Sequence, residues 1–394
     1  MPIPNSLADR ARVHAEWRRD LHQHPETAFE ETRTAAFVAE KLRAFGCDAV
    51  ETGIGRTGVV AVIHGRNGPG DGDKSVLLRA DMDALPMREA NTFEHVSKHP
   101  GAMHACGHDG HTTMLLAAAE HLAETRAFDG TAVICFQPAE EFGGGANEMI
   151  QDGLFERFPV REVYAMHTLP GLEIGRFGLR AGPMLGANED FDLTVSGKGG
   201  HAAHPADCVD TVQAAANLVS ALHGLVSREI APERAGVLSI TSIVGGDSYN
   251  VLPAEVRLKG TVRAYEAEVA AYLIERIKSV SRGVAETWRV GVDVSVLPGG
   301  YPPTINDAEK TAFARSVAAE IVGEENIREE ATQLGVEDFS YMLQKRPGSY
   351  ICIGNGDSAP LHHPEFDFND AAIAPGAAFF ARIVESALPL RDPA

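Results

Sequence analysis

The sequence predicts an α/β domain with a largely parallel central sheet flanked by helices, interrupted by an inserted ferredoxin-like α+β domain. Three observations predict it. The chain has 394 residues, too many for one ordinary core, with 44% apolar residues to fill two. Strand-type and helix-type patterns alternate up to residue 181, with connections long enough for parallel crossovers. After "AGP" at 181–183 the order becomes β-α-β-β-α-β, and beyond "PGGYPP" at 298–303 the alternating style resumes. The reading is a discontinuous domain, 1–181 plus 299–394, carrying an insert at 182–298.

Helical periodicity marks 8–22 and 30–45, and the apolar runs "VVAVIHG" (59–65) and "SVLLRAD" (75–81) read as strands. A helix begins near His108, where Leu115, Leu116, Ala119 and Leu122 recur at spacings of three and four. The strand "TAVICFQ" (131–137), a helix after the glycines at 143–145, and the strand "EVYAMH" (162–167) follow. In the insert, "DFDLTVSG" (190–197) is a strand, and 208–226 a helix with Val209, Val212, Val219, Leu222 and Val226 on one face. "GVLSITSIVGG" and "EVRLKGTVRAY" are two strands, 266–287 a helix and "VGVDVSVLP" (290–298) the last strand. Helices at 307–322, 336–345 and 370–387 and the strand "SYICIG" (349–354) complete the first domain.

The formal charge of −20 opposes nucleic acid and anionic membrane, because a phosphate-binding surface needs a basic field. The first 25 residues lack the apolar run of a secretion signal, and no stretch approaches the roughly 18 to 20 apolar residues of a membrane span, so the expected location is the cytoplasm. Five scattered cysteines, none in a CxxC pair, exclude a disulfide framework or a zinc finger. "GIGRTG" (53–58) fits GxGxxG, but a strand follows it rather than the helix on which a pyrophosphate would sit, so it reads as a turn. GxSxG, the P-loop and HExxH are absent.

The informative residues are dispersed and share one placement. Asp81 and Asp83 end one strand, Glu140 and Glu141 follow another, and His167 closes a third. Sites in open α/β sheets lie beyond the carboxyl ends of the strands, so these residues can converge. Cys106 and His108 of "MHACGHDGH" precede a helix and can face the same rim. Thiolate, neutral imidazole and carboxylate together suit zinc or a similar divalent ion, and a second carboxylate beside a ligand supplies a general base. That combination describes a hydrolase.

"RRDLHQHPETAFEE", "LLRADMDALPM", "MHACGHDGHT", "FQPAEEFGGGANEMI", "AMHT", "GKGGHAAHP", "GVEDFSYM" and "LHHPEFDFND", in that order from about residue 15 to 385, resemble the aminoacylase-type metallopeptidase family. Within it, the pattern is similar to the hippurate hydrolases and the plant indole-acetyl amino acid hydrolases. The resemblance implies a catalytic α/β domain with an inserted lid and dimerisation domain, and two divalent ions per subunit, zinc or manganese, nickel or cobalt. Cys106, His108, Glu141, His167 and His362 would hold them, Cys106 bridging, with Glu140 as general base and Asp83 orienting a histidine ligand. "LHHP" offers two histidines, and the subgroup's pattern favours His362 over His363.

From the insert, the resemblance implies that His201 reaches the partner subunit's site to stabilise the oxyanion, and that Asn250 and Arg263 hold the substrate's carboxylate. The expected activity is hydrolysis of an N-acyl amino acid by a homodimer. A dipeptidase on the same scaffold and a non-catalytic metal-binding relative are the alternatives. His104, His111 and His204 are expected to support the site without ligating, and His22 to be structural.

Overall fold

Four runs, Ser75–Asp81, Thr131–Gln137, Glu162–Leu169 and Gly348–Gly354, are buried at every position save Leu169. Buried on both faces, they can only be strands covered on both sides by helices. The computed structural model describes residues 3–390 and resolves two compact units. One runs to Met184 and resumes at Ile305–Ala331 and from Asp338; the other comprises Leu185–Thr304 and Thr332–Glu337.

The first unit is built on an eight-stranded sheet in the spatial order Ala49–Ile54, Gly58–His64, Thr131–Gln137, Ser75–Asp81, Glu162–Leu169, Gly348–Gly354, Phe177–Leu179, Ile327–Glu329. The four central strands pair in parallel. Antiparallel pairs join the first three strands, and Phe177–Leu179 runs antiparallel to Gly348–Gly354. Successive crossovers leave Ser75–Asp81 on opposite sides, so the order reverses at this strand, where open α/β sheets form their crevice. "GIGRTG" is the tight turn joining Ala49–Ile54 to Gly58–His64, with Arg56 at φ +77°.

Helix His108–Thr125 is buried along nearly its whole length and packs against helix Ile373–Ala387 and helix Ala11–Gln23. Alanines 117 to 119 let these neighbours approach closely, and Leu115, Leu116, Phe379 and Phe380 fill the core between them and the sheet.

The second unit has the split β-α-β order. Its four-stranded antiparallel sheet runs Gly236–Val244, Glu255–Ala264, Ala187–Ser196, Gly291–Val296, and helices Thr211–Glu229 and Ala267–Trp288 cover one face. Burial alternates along Glu255–Ala264, as a sheet with one covered face requires. No helix among the described residues is long and apolar enough to cross a membrane.

Three local expectations need correction. The 8–22 helix is two, Asn5–Asp9 and Ala11–Gln23, broken at Arg10 (φ −100°, ψ 3°). Helix 336–345 shrinks to Phe339–Leu343. In Thr211–Glu229 the buried stripe is Thr211, Ala214, Ala215, Leu218, Leu222 and Leu225, whereas Val212 is 46% exposed. Small alanines mark where the helix lies against its neighbours, and the valines beside them only border the core. Leu218→Ala should therefore cost about 2 to 5 kcal/mol in denaturant unfolding and Val212→Ala under about 0.5. Equal losses would refute this face.

Candidate metal centre

The carboxyl ends of the four central parallel strands carry the candidate site. Asp81 ends one and Asp83 lies two residues beyond; Glu140 and Glu141 follow Thr131–Gln137; His167 lies near the end of Glu162–Leu169; His362 lies in the loop after Gly348–Gly354. Cys106 and His108 come from the start of helix His108–Thr125, separated by Gly107 at φ +86°. A Cβ there would also meet the Thr168 methyl at 2.6 Å, so only glycine allows this approach. The Ala105 carbonyl accepts the His362 N–H at 2.8 Å, which fastens the His362 loop beside Cys106.

Cys106 Sγ lies 3.3 Å from His167 Nε2, and Glu141 Oε1 lies 3.3 Å from His362 Nε2 and 3.9 Å from His108 Nε2. Donor atoms of Cys106, His108 and His167 lie within 4.8 Å of one another, as do those of Cys106, Glu141 and His362. The two sets share Cys106. His108, Glu140 and Glu141 form a third such set.

Hydrogen bonds indicate the tautomers of His167 and His111. His167 donates Nδ1–H to the Thr168 carbonyl at 2.7 Å, leaving the Nε2 lone pair towards Cys106. His111 accepts the Thr168 N–H at Nε2 (2.9 Å) and donates Nδ1–H to Asp81 (2.7 Å), so neither nitrogen is left to ligate. Asp83 accepts the N–H groups of Glu140 and Glu141, both at 3.0 Å, and its Oδ1 is 3.3 Å from His108 Nδ1. Asp81 is bound by Arg79 at 2.8 Å, and Arg79 also reaches Gln137 and Asp338. This buried Arg79 and Asp338 support escaped the sequence reading, which held no pattern to reveal it.

Several buried carboxylates act on the thiol and imidazoles of the site. Burial and the carboxylates of Glu141 and Glu140 push the Cys106 thiol well above its ordinary range. Burial alone would lower His108, but Asp81, Asp83 and Glu141 bring it up to about 10. Burial holds His167 well below the ordinary imidazole range. No hydrogen bond of good geometry satisfies either nitrogen of the fully buried His108. Thiolate, imidazole and carboxylate donors in one cluster fit a first-row divalent ion, whose positive charge would offset the carboxylates.

The model of the peptidase family M20/M25/M40 matches residues 77–386, most of the chain. The chain belongs to this family. The hippurate hydrolase of Campylobacter jejuni is 37% identical over 93% of this chain and 94% of its own length. An IAA-amino acid hydrolase ILR1-like protein of Arabidopsis thaliana is 38% identical over 92% of this chain and 83% of its own. The crystal structure of the Bacillus subtilis YXEP protein, described as a dinuclear metal binding peptidase from the M20 family, superposes with a TM-score of 0.83 at 30% identity, covering 97% of this chain and 99% of that one.

Three further histidines of this M20-family chain differ in their surroundings. His22 donates to Asp109 at 2.8 Å and to Glu89 at 3.1 Å; two carboxylate acceptors require an imidazolium, part of a buried ion cluster with Arg18. His104 is buried with neither ring nitrogen bonded, and burial lowers it to about 4, so it stays neutral. His363 accepts the Glu365 N–H at Nδ1.

His201, Asn250 and Arg263 all belong to the second unit. Gly200–His201 pairs with Val251–Leu252, and the Asn250 carbonyl accepts the Ala202 N–H, so His201 and Asn250 are neighbours. His201 is exposed and accepts the Ala203 N–H at Nδ1, which puts its proton on Nε2 as a donor. Arg263 binds Asp190, Thr261 and the Val262 carbonyl through Nη1 alone.

Proposed function

We propose that the chain is a binuclear metal-dependent amidohydrolase that cleaves N-acyl amino acids of the hippurate or N-acetyl type to a carboxylic acid and a free amino acid. The observation that carries this reading is the pair of donor sets sharing Cys106, with the buried Glu140 carboxylate beside Glu141. The names of the relatives support the substrate class.

Cys106, His108, Glu141, His167 and His362 would hold two divalent ions, zinc or manganese, nickel or cobalt. When bound, such ions polarise an amide carbonyl and acidify water. Glu140 takes a proton from the attacking water as its oxygen bonds to the carbonyl carbon, and delivers that proton to the nitrogen as the C–N bond breaks. Asp83 fixes the Glu140 and Glu141 backbone and faces His108 Nδ1, which keeps that ring in one orientation. Asn250 and the Nε and Nη2 edge of Arg263 bind the substrate carboxylate, a bidentate task for which a guanidinium is shaped. His201, presenting Nε2–H, stabilises the oxyanion from the partner subunit of a cytoplasmic homodimer assembled through the inserted domain.

The test is a hydrolysis panel on metal-reconstituted protein. Hippurate or N-acetyl amino acids should be cleaved, releasing free amino acid. Cleavage confined to dipeptides with a free α-amino group would assign a dipeptidase, and no cleavage with metal bound would sink the proposal. A heterodimer of His201→Ala and Glu140→Gln subunits should regain part of the activity if His201 acts across the dimer.

A further inference from the structure

The Glu140 turn has a second carboxylate beneath it. Glu31 is fully buried, and its Oε1 accepts the N–H groups of Ala139 at 2.9 Å and Phe29 at 3.0 Å, while Oε2 accepts the Thr57 hydroxyl. Asp83 takes the next two amides, so three successive N–H groups, 139 to 141, are gripped by two buried carboxylates. Such a run of converging amides is an anion-binding nest, used here to hold a loop.

That loop is strained. Ala139 sits at φ +51°, a left-handed conformation that crowds the Cβ against the backbone. The turn closes tightly as well: the Gly145 N–H donates to the Ala139 carbonyl, and a Cβ at Gly145 would lie 1.7 Å from the Pro138 oxygen. From the other side the Phe29 ring abuts Gly143, where a Cβ would meet it at 2.5 Å. Strain of this kind persists only where the surroundings over-determine it. Here residues 29 to 31 supply that determination.

We infer that Glu31 is a positioning residue, holding the strained Ala139 turn so that the Glu140 carboxylate stays aimed at the reacting atoms. The inference rests on Glu140 being the proton carrier of the proposed reaction. Glu31 itself touches no donor of the metal sets. Glutamine at 31 keeps an oxygen for both amides and offers its NH2 to the Thr57 hydroxyl, whereas leucine leaves the Ala139 N–H without an acceptor.

The experiment compares wild type, Glu31→Leu, Glu31→Gln, Thr57→Val and Glu140→Gln for kcat, KM, metal content and amide exchange. Glu31→Leu should lose about 10- to 100-fold in kcat, the scale of small misplacements of a reacting group, with KM within about threefold and metal content unchanged. Exchange should quicken in the peptide 138–146 and not elsewhere. Glu31→Gln should restore most of kcat. Thr57→Val, a milder change should Glu31→Leu not fold, should lose several-fold in kcat. Wild-type kcat in metal-loaded Glu31→Leu, or in Thr57→Val if the former does not fold, overturns the inference. So does Glu31→Gln as impaired as Glu31→Leu. An inactive wild type sinks the proposed function, and an active Glu140→Gln sinks the base assignment; in either case unaltered exchange at 138–146 in Glu31→Leu and Thr57→Val also refutes the hold on the turn.

Discussion

Glu140→Gln is expected to lower kcat by at least about 10²- to 10⁴-fold, the span that a positioned general base supplies, while bound metal stays at the wild-type level. The substitution keeps the size of the side chain and the backbone N–H that Asp83 grips, so neither the turn nor Glu141 should move. What it would remove, on the proposed mechanism, is the ability to accept a proton from water and pass it to the leaving nitrogen. Parallel measurement of kcat and metal stoichiometry checks this. Unchanged turnover would show that another group carries the proton, and joint loss of turnover and metal would show that Glu140 belongs to the donor set.

Loss of metal should be as severe. Chelation is expected to take hydrolysis to background, and Cys106→Ser or His108→Ala to lower metal affinity by more than the roughly 10- to 100-fold seen when an outer partner of a ligand is lost. Cys106 belongs to both donor sets, so its removal should impair both ions together, whereas His167→Ala should spare the set of Cys106, Glu141 and His362. Binding must also be linked to protons. Without the cation, Cys106 is a thiol and His108 an imidazolium held up to about 10, and both must be deprotonated to ligate. Affinity should therefore fall as pH falls, with protons released on loading. Calorimetry in buffers of different ionisation enthalpy measures that release; equal affinity at pH 6 and pH 8 would refute this account.

The parts of this molecule that the sequence disclosed are those whose residues face a uniform environment. The four central strands announce themselves because they are mostly apolar runs, and the split β-α-β order of the second unit because its periods alternate cleanly. The strand Ala49–Ile54, "AVETGI", was missed, since an edge strand with mostly accessible side chains leaves no apolar signature. The candidate donors Glu141 and His167 stood out by their placement at strand ends, and Cys106 by its placement before a helix, together with the family resemblance. Arg79, Asp338 and Glu31 were not, because a buried charge answered by residues far along the chain has no spacing of its own. Glu31 lay in plain view within "RRDLHQHPETAFEE", a motif that carried resemblance but no recognisable chemistry.

The strand Gly348–Gly354 fits between Glu162–Leu169 and Phe177–Leu179, although the whole second unit is encoded before it. On the ribosome, therefore, the nascent first unit must wait with the edge of Glu162–Leu169 unpaired until the later strand emerges. Such an edge is a template for mispairing with other chains, and its closure over so long a separation is slow. The same delay withholds His362, so the full set of proposed metal donors cannot assemble until nearly the entire polypeptide has been made. Expression yield should thus depend on how well cells shield a half-finished sheet, independently of how stable the finished enzyme is.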